Sequence, residues 1–157
     1  MSLTYTLPEG LPWLGGAFVS SAWLLLYQSI NVSSYRKAAG ISYPRAYADK
    51  EEQDKSPAAL KFNCAQRSHA GAHMNTLELL PATWALTLVT AAKYPHLAAS
   101  ALIAFVIGRV FYTRGYSTGD PQKRNHLFTR IGTLGYLGLH LSATFVVGQA
   151  IYQSLYP

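Results

Sequence analysis

Charge is the scarcest ingredient of this chain. Of its 157 residues, 13 are Lys or Arg and 7 are Asp or Glu, 13% together. Ordinary soluble domains carry roughly 25%. Cysteine is nearly absent: Cys64 stands alone, so no internal disulfide forms and nothing speaks for an oxidising compartment. No basic stretch precedes the first apolar run and no cleavage site closes it, so that run reads as a retained span and not as a signal peptide. The histidines at 69, 73, 96, 126 and 140 lack the grouping of metal ligands, and no metal is expected. The net charge of +6 does not point to nucleic acid, because the basic residues flank the apolar runs instead of forming a soluble basic face.

What is present is strong segregation, hidden by a mean hydropathy of +0.09. Residues 10–35 contain no charge, nor do 131–157, and shorter uncharged runs cover 79–92 and 94–108. A bilayer-spanning helix needs about 20 mostly apolar residues. The pattern predicts an all-α membrane protein: one domain over 1–157, with four transmembrane helices at about 11–32, 69–92, 97–116 and 127–152. A polar loop at about 36–67 joins the first two. Pro81 falls inside the second span, where it kinks the helix or is tolerated by neighbours. Glycines 132, 135, 138 and 148 read as a packing surface, as do Gly15, Gly16, Ser20 and Ser21.

The basic residues set the orientation. Seven lie from Arg36 to Arg67, five more are Arg109, Arg114, Lys123, Arg124 and Arg130, and only Lys93 lies in the turn between spans two and three. Twelve of the thirteen therefore share one side. By the positive-inside rule that side is cytosolic and both termini are lumenal. Asn31-Val32-Ser33 has the form of a glycosylation sequon but abuts the cytosolic face, where it goes unused.

The same face collects the polar residues of the spans. At about 100° per residue, Arg67, Gly71, Asn75 and Glu78 fall within about 80° at the start of span two. Arg109, Tyr112 and Tyr116 fall within about 60° at the end of span three. Lys123 and Arg124 follow, and Arg36 and Lys37 join from span one. Singly, such residues anchor helix ends, form interfacial belts or pair with one another. Jointly they describe a cationic pocket with one carboxylate and several phenols. It suits a small, multiply anionic, amphiphilic ligand: arginines take carboxylates by paired hydrogen bonds, and Glu78 takes an ammonium. The adjoining bilayer delivers a lipophilic second substrate.

These residues also carry a resemblance. Phe62-Asn63-Cys64, Gln66-Arg67, His69 and Asn75-Thr76-Leu77-Glu78 form one block. Gly108-Arg109-Val110, Tyr112, Gly115-Tyr116, Thr118-Gly119, Pro121 and Lys123-Arg124 form another. With Asn31-Val32-Ser33 and Tyr43-Pro44 they resemble the membrane-associated proteins in eicosanoid and glutathione metabolism, over nearly the whole chain. The resemblance implies a homotrimer in the endoplasmic reticulum membrane (or a pool in the outer mitochondrial membrane), with sites between subunits that hold bent glutathione as co-substrate. It implies that Asn75 and Glu78 contact glutathione, Glu78 near its α-amino group. Arg109, Tyr112 and Tyr116 match pocket residues, and Arg36 and Lys37 match basic residues at the end of span one. The arginine that stabilises the thiolate falls on Lys123 or Arg124, with Arg124 favoured.

The activity so implied is glutathione transfer to lipophilic electrophiles, leukotriene C4 formation included, and reduction of lipid hydroperoxides. Two departures stand out. Arg67 precedes Asn75 by eight residues where relatives have four, with His69 and His73 competing for one histidine slot, and Leu79 replaces a tyrosine found in some subgroups. Two rival functions remain. One is a non-enzymatic lipid-binding member that presents fatty acids to a partner enzyme, which should lack the arginine. The other is a small-molecule transporter, which would need an acidic residue nearer mid-membrane than Glu78.

Overall fold

The computed structural model describes residues 9–66 and 72–156, whose regular elements are all helices, with no strand among them. Arg67, His69 and Gly71 lie outside the described residues. Four long helices make the body: α1 (Leu11–Ala39), α4 (His73–Ala91), α5 (Pro95–Tyr116) and α6 (Leu127–Leu155). Two short ones, α2 (Lys50–Lys55) and α3 (Pro57–Gln66), fill the connection between α1 and α4. A 3-10 turn, Pro121–Arg124, joins α5 to α6.

Of the described helices, α5 and α6 are long and apolar enough to cross a membrane, at mean hydropathies of 1.5 and 1.4. α1 and α4 are long helices in the expected places but less apolar. Several of their polar residues are buried: Ser21 and Gln28 in α1, and Thr76, Thr83, Thr87 and Thr90 in α4. Their polarity is neutralised inside the bundle. Thr76, Thr83 and Thr87 donate to the carbonyls of Ala72, Leu79 and Thr83, one turn back. Trp84 donates to the Ser21 hydroxyl at 3.1 Å, and Thr90 and Ser142 share a hydrogen bond of 3.0 Å. α4 continues through Pro81 as helix.

α5 packs centrally against α1, α4 and α6. The apolar core joins Ala17 and Leu24 of α1, Leu80 of α4, and Ala99, Leu102, Phe105 and Val106 of α5. The α5–α6 crossing is close because it is glycine on glycine. A Cβ on Gly132 would stand 2.6 Å from the Cα of Gly108, and one on Gly135 would stand 2.7 Å from the Ala101 carbonyl. Gly138 and Gly148, expected in the same packing surface, face open space within the chain, as do Gly15 and Gly16. Six residues on a helix turn the side chain by about 240°, so Gly138 cannot share the face of Gly132.

The segment expected as a polar loop over about 36–67 is largely structured. α1 runs to Ala39 and is closed by Gly40 in the left-handed region (φ 67°), with Ile41 N–H donating to the Arg36 carbonyl. A second core of Val32, Ile41, Ala48, Ala59, Phe62 and Ala65 lies beneath. Asn63 ties it together. Its carboxamide accepts from the Ala48 N–H and donates to the Ala48 carbonyl, both at 3.0 Å, and donates to Gln53 at 2.8 Å. α2 opens with a capping box in which Asp49 and Glu52 bond one another's backbone N–H. Arg45 grips Glu52 with both terminal guanidinium nitrogens, and this contact holds the Glu52 carboxyl below the usual carboxylate range.

Candidate functional site

The site begins with how the last turn of α5 meets the start of α6. Gly115 carries no side chain, and the 3-10 turn lies directly on it: a Cβ there would collide with the carbonyl of Lys123 and stand 3.1 Å from the Cα of Arg124. Asp120 caps the turn by accepting from Gln122 N–H at 3.0 Å. The turn therefore carries Arg124 back over α5, where its guanidinium stands 5.3 Å from the centre of the Tyr116 ring. Tyr116 is parallel to Tyr112, with ring centres 5.6 Å apart. Arg109, one turn earlier, lies 4.1 Å above the Tyr112 ring. The two phenols of α5 thus lie between two cations, Arg109 of the same helix and Arg124 of the turn that follows it.

That face opens on a cavity of about 270 Å³ between α4, α5 and α6. Arg109, Tyr112, Arg124 and Asn125 line it together with the apolar Leu79 and Phe105 and the bare backbone of Gly108 and Gly132. Thr129, Thr133 and Tyr136 line the α6 wall at spacings of four and three residues. Among the described residues no carboxylate lines the cavity. The wall therefore offers arginine to an anionic group and the Leu79 and Phe105 side chains to a hydrocarbon.

Arg109 is only 8% exposed. Its Nε donates to the Thr76 hydroxyl at 2.9 Å and its Nη2 donates to the Ala72 carbonyl at 3.1 Å. Both partners are neutral. The ion pairs among the described residues all lie within residues 45–55. A buried guanidinium without a countercharge is costly, and an anionic ligand offsets that cost.

The expected site residues divide into two groups. Arg109, Tyr112, Tyr116 and Arg124 come together as described. Lys123 is exposed and contributes its backbone to the turn, so of the two cations left open for thiolate stabilisation only Arg124 lines the cavity. Asn75 is half-buried and Glu78 exposed on α4, neither in the cavity wall. His73 is half-buried at the start of α4, its Nδ1 without a partner among the described residues. Lys37 is exposed. Arg36 is in the second core: its guanidinium donates to the Arg45 carbonyl at 2.6 Å and lies 4.3 and 4.7 Å from the ring centres of Tyr43 and Phe62. Within one chain, Arg36 holds the 41–66 segment onto α1.

Sequence reasoning passed over the α6 wall and over Gln28, Thr76 and Thr113. The α6 residues carried a signal in their helical spacing, Thr129, Thr133 and Tyr136 falling on one face. Gln28 carried one too. It continues the buried stripe Leu14, Ala17, Ser21, Leu24 of α1 at a spacing of three and four and is a strong hydrogen-bonding group inside an otherwise apolar run. Residues 14–145 match the model of the MAPEG family.

Proposed function

The chain belongs to the MAPEG family, membrane proteins of glutathione and eicosanoid metabolism, and on that premise we propose that it is an integral-membrane glutathione transferase and peroxidase of the type 3 microsomal kind. The observation that carries this reading is that Arg109 and Arg124 line one cavity together with the apolar Leu79 and Phe105. The family typically uses glutathione and forms trimers. We place this protein in the endoplasmic reticulum membrane as a four-span homotrimer with its termini lumenal.

In this reading Arg109 takes a glutathione carboxylate, and Glu78 and Asn75 bind the γ-glutamyl end across a subunit boundary. Arg124 stands at the sulfur. A cation there favours thiolate over thiol, and a shift of about two pKa units makes the thiolate dominant at neutral pH. The thiolate then attacks an electrophilic carbon of a lipid, such as an allylic epoxide. The C–O bond breaks, the alkoxide takes a proton and a thioether conjugate results, leukotriene C4 in the case of its epoxide precursor. With a lipid hydroperoxide the thiolate attacks the terminal oxygen and the O–O bond breaks. The lipid alkoxide leaves as the alcohol, and the glutathione sulfenic acid is reduced by a second glutathione to give the disulfide and water.

The apolar lining of Leu79, Phe105, Gly108 and Gly132 supports one second reading, a non-enzymatic lipid-binding protein that presents fatty acids to a partner. The test is purified protein in detergent, titrated with glutathione by calorimetry and assayed with a panel of electrophiles and a fatty-acid hydroperoxide. Glutathione binding with turnover of either class is expected. Glutathione binding absent and fatty-acid binding present would replace this reading with the second.

A further inference from the structure

We propose that Gln28 is a positioning residue for the anion-binding guanidinium of Arg109. The inference rests on reading the cavity as the glutathione site. Gln28 lies two-thirds of the way along α1 and is 0% exposed. Its Nε2 donates to two hydroxyls at once, Thr76 on α4 and Thr113 on α5, each at 2.8 Å. One amide therefore ties three helices at a single point.

Both hydroxyls are already committed as donors. Thr76 donates to the Ala72 carbonyl at 2.8 Å, and Thr113 donates to the carbonyl of Arg109 itself at 2.7 Å. Each then offers only lone pairs inward, which is why the amide nitrogen faces them and why the Gln28 Oε1 has no partner among the described residues. The Thr76 oxygen accepts from Gln28 Nε2 and from Arg109 Nε together. Arg109 is thus held at both ends: its head through Thr76 and Ala72, its backbone carbonyl through Thr113.

The consequence is directional. The Nε and one N–H of Nη2 are occupied by Thr76 and Ala72. The N–H groups that remain are those available to an anion in the cavity that Arg109 lines. A planar fork binds a carboxylate well only in the right orientation. An apolar residue at 28 would avoid burying an unsatisfied oxygen, yet it would leave Thr76 and Thr113 without their common donor, so that the Thr76 hydroxyl that orients Arg109 is itself less firmly held.

The test is Gln28→Met, which keeps the length and removes the donor, alone and combined with Thr76→Val, in full-length protein. The Kd and KM for glutathione should rise about tenfold, while kcat at saturating glutathione and the thiolate absorbance of the bound tripeptide stay near wild type. Gln28→Glu should weaken binding further, since it places an anion beside Arg109. The double variant should bind no more weakly than the worse single one, because both break the same chain of contacts. A merely structural Gln28 would lower the folded fraction and leave KM unchanged. Unchanged KM in folded Gln28→Met, or strictly additive effects, would overturn the proposal. Should Gln28→Met not fold, Thr113→Val removes one of the two anchors and must raise KM in the same direction. If wild type itself binds no glutathione, the reading of the cavity falls and this inference falls with it. If wild type binds and the variants match it, only this inference fails.

Discussion

Gly115 and Lys123 touch backbone to backbone: the carbonyl of Lys123 occupies the space a side chain at 115 would need. Because the neighbouring Arg124 lines the cavity, this contact sets where the second cation stands. Gly115→Ala must push the 3-10 turn away from α5. A displacement of about 1 Å at a reacting group costs about 10²-fold in rate, so kcat/KM should fall by one to two orders of magnitude with the helices intact. Gly138→Ala, where a Cβ meets nothing within 4 Å, should retain wild-type rates. Steady-state conjugation kinetics on the two variants compare them directly.

The 41–66 segment should be a cooperative unit held by Asn63. Asn63→Leu leaves both backbone groups of Ala48 without their partners. Each buried unsatisfied group costs about 1–3 kcal/mol. Denaturation in sodium dodecyl sulfate should show lower stability, and trypsin should cut first at Arg45 or Lys50. Wild-type resistance in the variant would show that this carboxamide is dispensable.

Acid should loosen the start of α2. The folded-state carboxyl of Glu52 lies below its ordinary value of 4.5 because it is bonded to Arg45 and to the Asp49 N–H. A depressed carboxylate contributes stability that is complete above the unfolded value and is lost as pH falls through the folded one. Amide protection factors across 50–55, corrected for intrinsic exchange, should hold above about pH 5 and drop on further acidification. In Arg45→Met the drop should begin at higher pH. An identical midpoint in both proteins would remove Arg45 as the cause.

Glycine packing makes its own prediction. Gly132 lies on Gly108 with no room for a methyl group. Gly132→Ala should separate α5 from α6 at the cavity they share, lowering stability by about 1–3 kcal/mol and activity with it. Thermal denaturation in detergent, alongside activity assays, should show both losses in Gly132→Ala and neither in Gly148→Ala.

Much of this was legible in the residues. Long uncharged runs placed α5 and α6, because a helix that sheds charge for that length has few other environments. The helical period placed Arg109, Tyr112 and Tyr116 on one face, and the ring and cation stack follows from it. The 41–66 segment was not legible, since its order comes from contacts across many residues: Arg36 over Tyr43 and Phe62, and Asn63 on Ala48. Read in isolation these are charges and turn formers. Arg36 accordingly looked like a ligand contact, whereas in the chain it lies in a core. Gln28 was passed over because neutral amides do not interrupt a charge-free run. The threonines of α4 lower its apolarity without revealing that they are buried, three of them bonded to carbonyls one turn back. That Gly132 packs could be read, but its partner Gly108 could not, since crossing points are set by three-dimensional packing.

The role proposed for Arg124 is to hold the glutathione sulfur as thiolate. Ultraviolet thiolate absorbance of glutathione added to purified protein near neutral pH, wild type against Arg124→Ala, tests this most directly. Wild type should bind and show the thiolate band, and the variant should bind without it. A full thiolate band in Arg124→Ala would contradict the assignment and move the role to another cation.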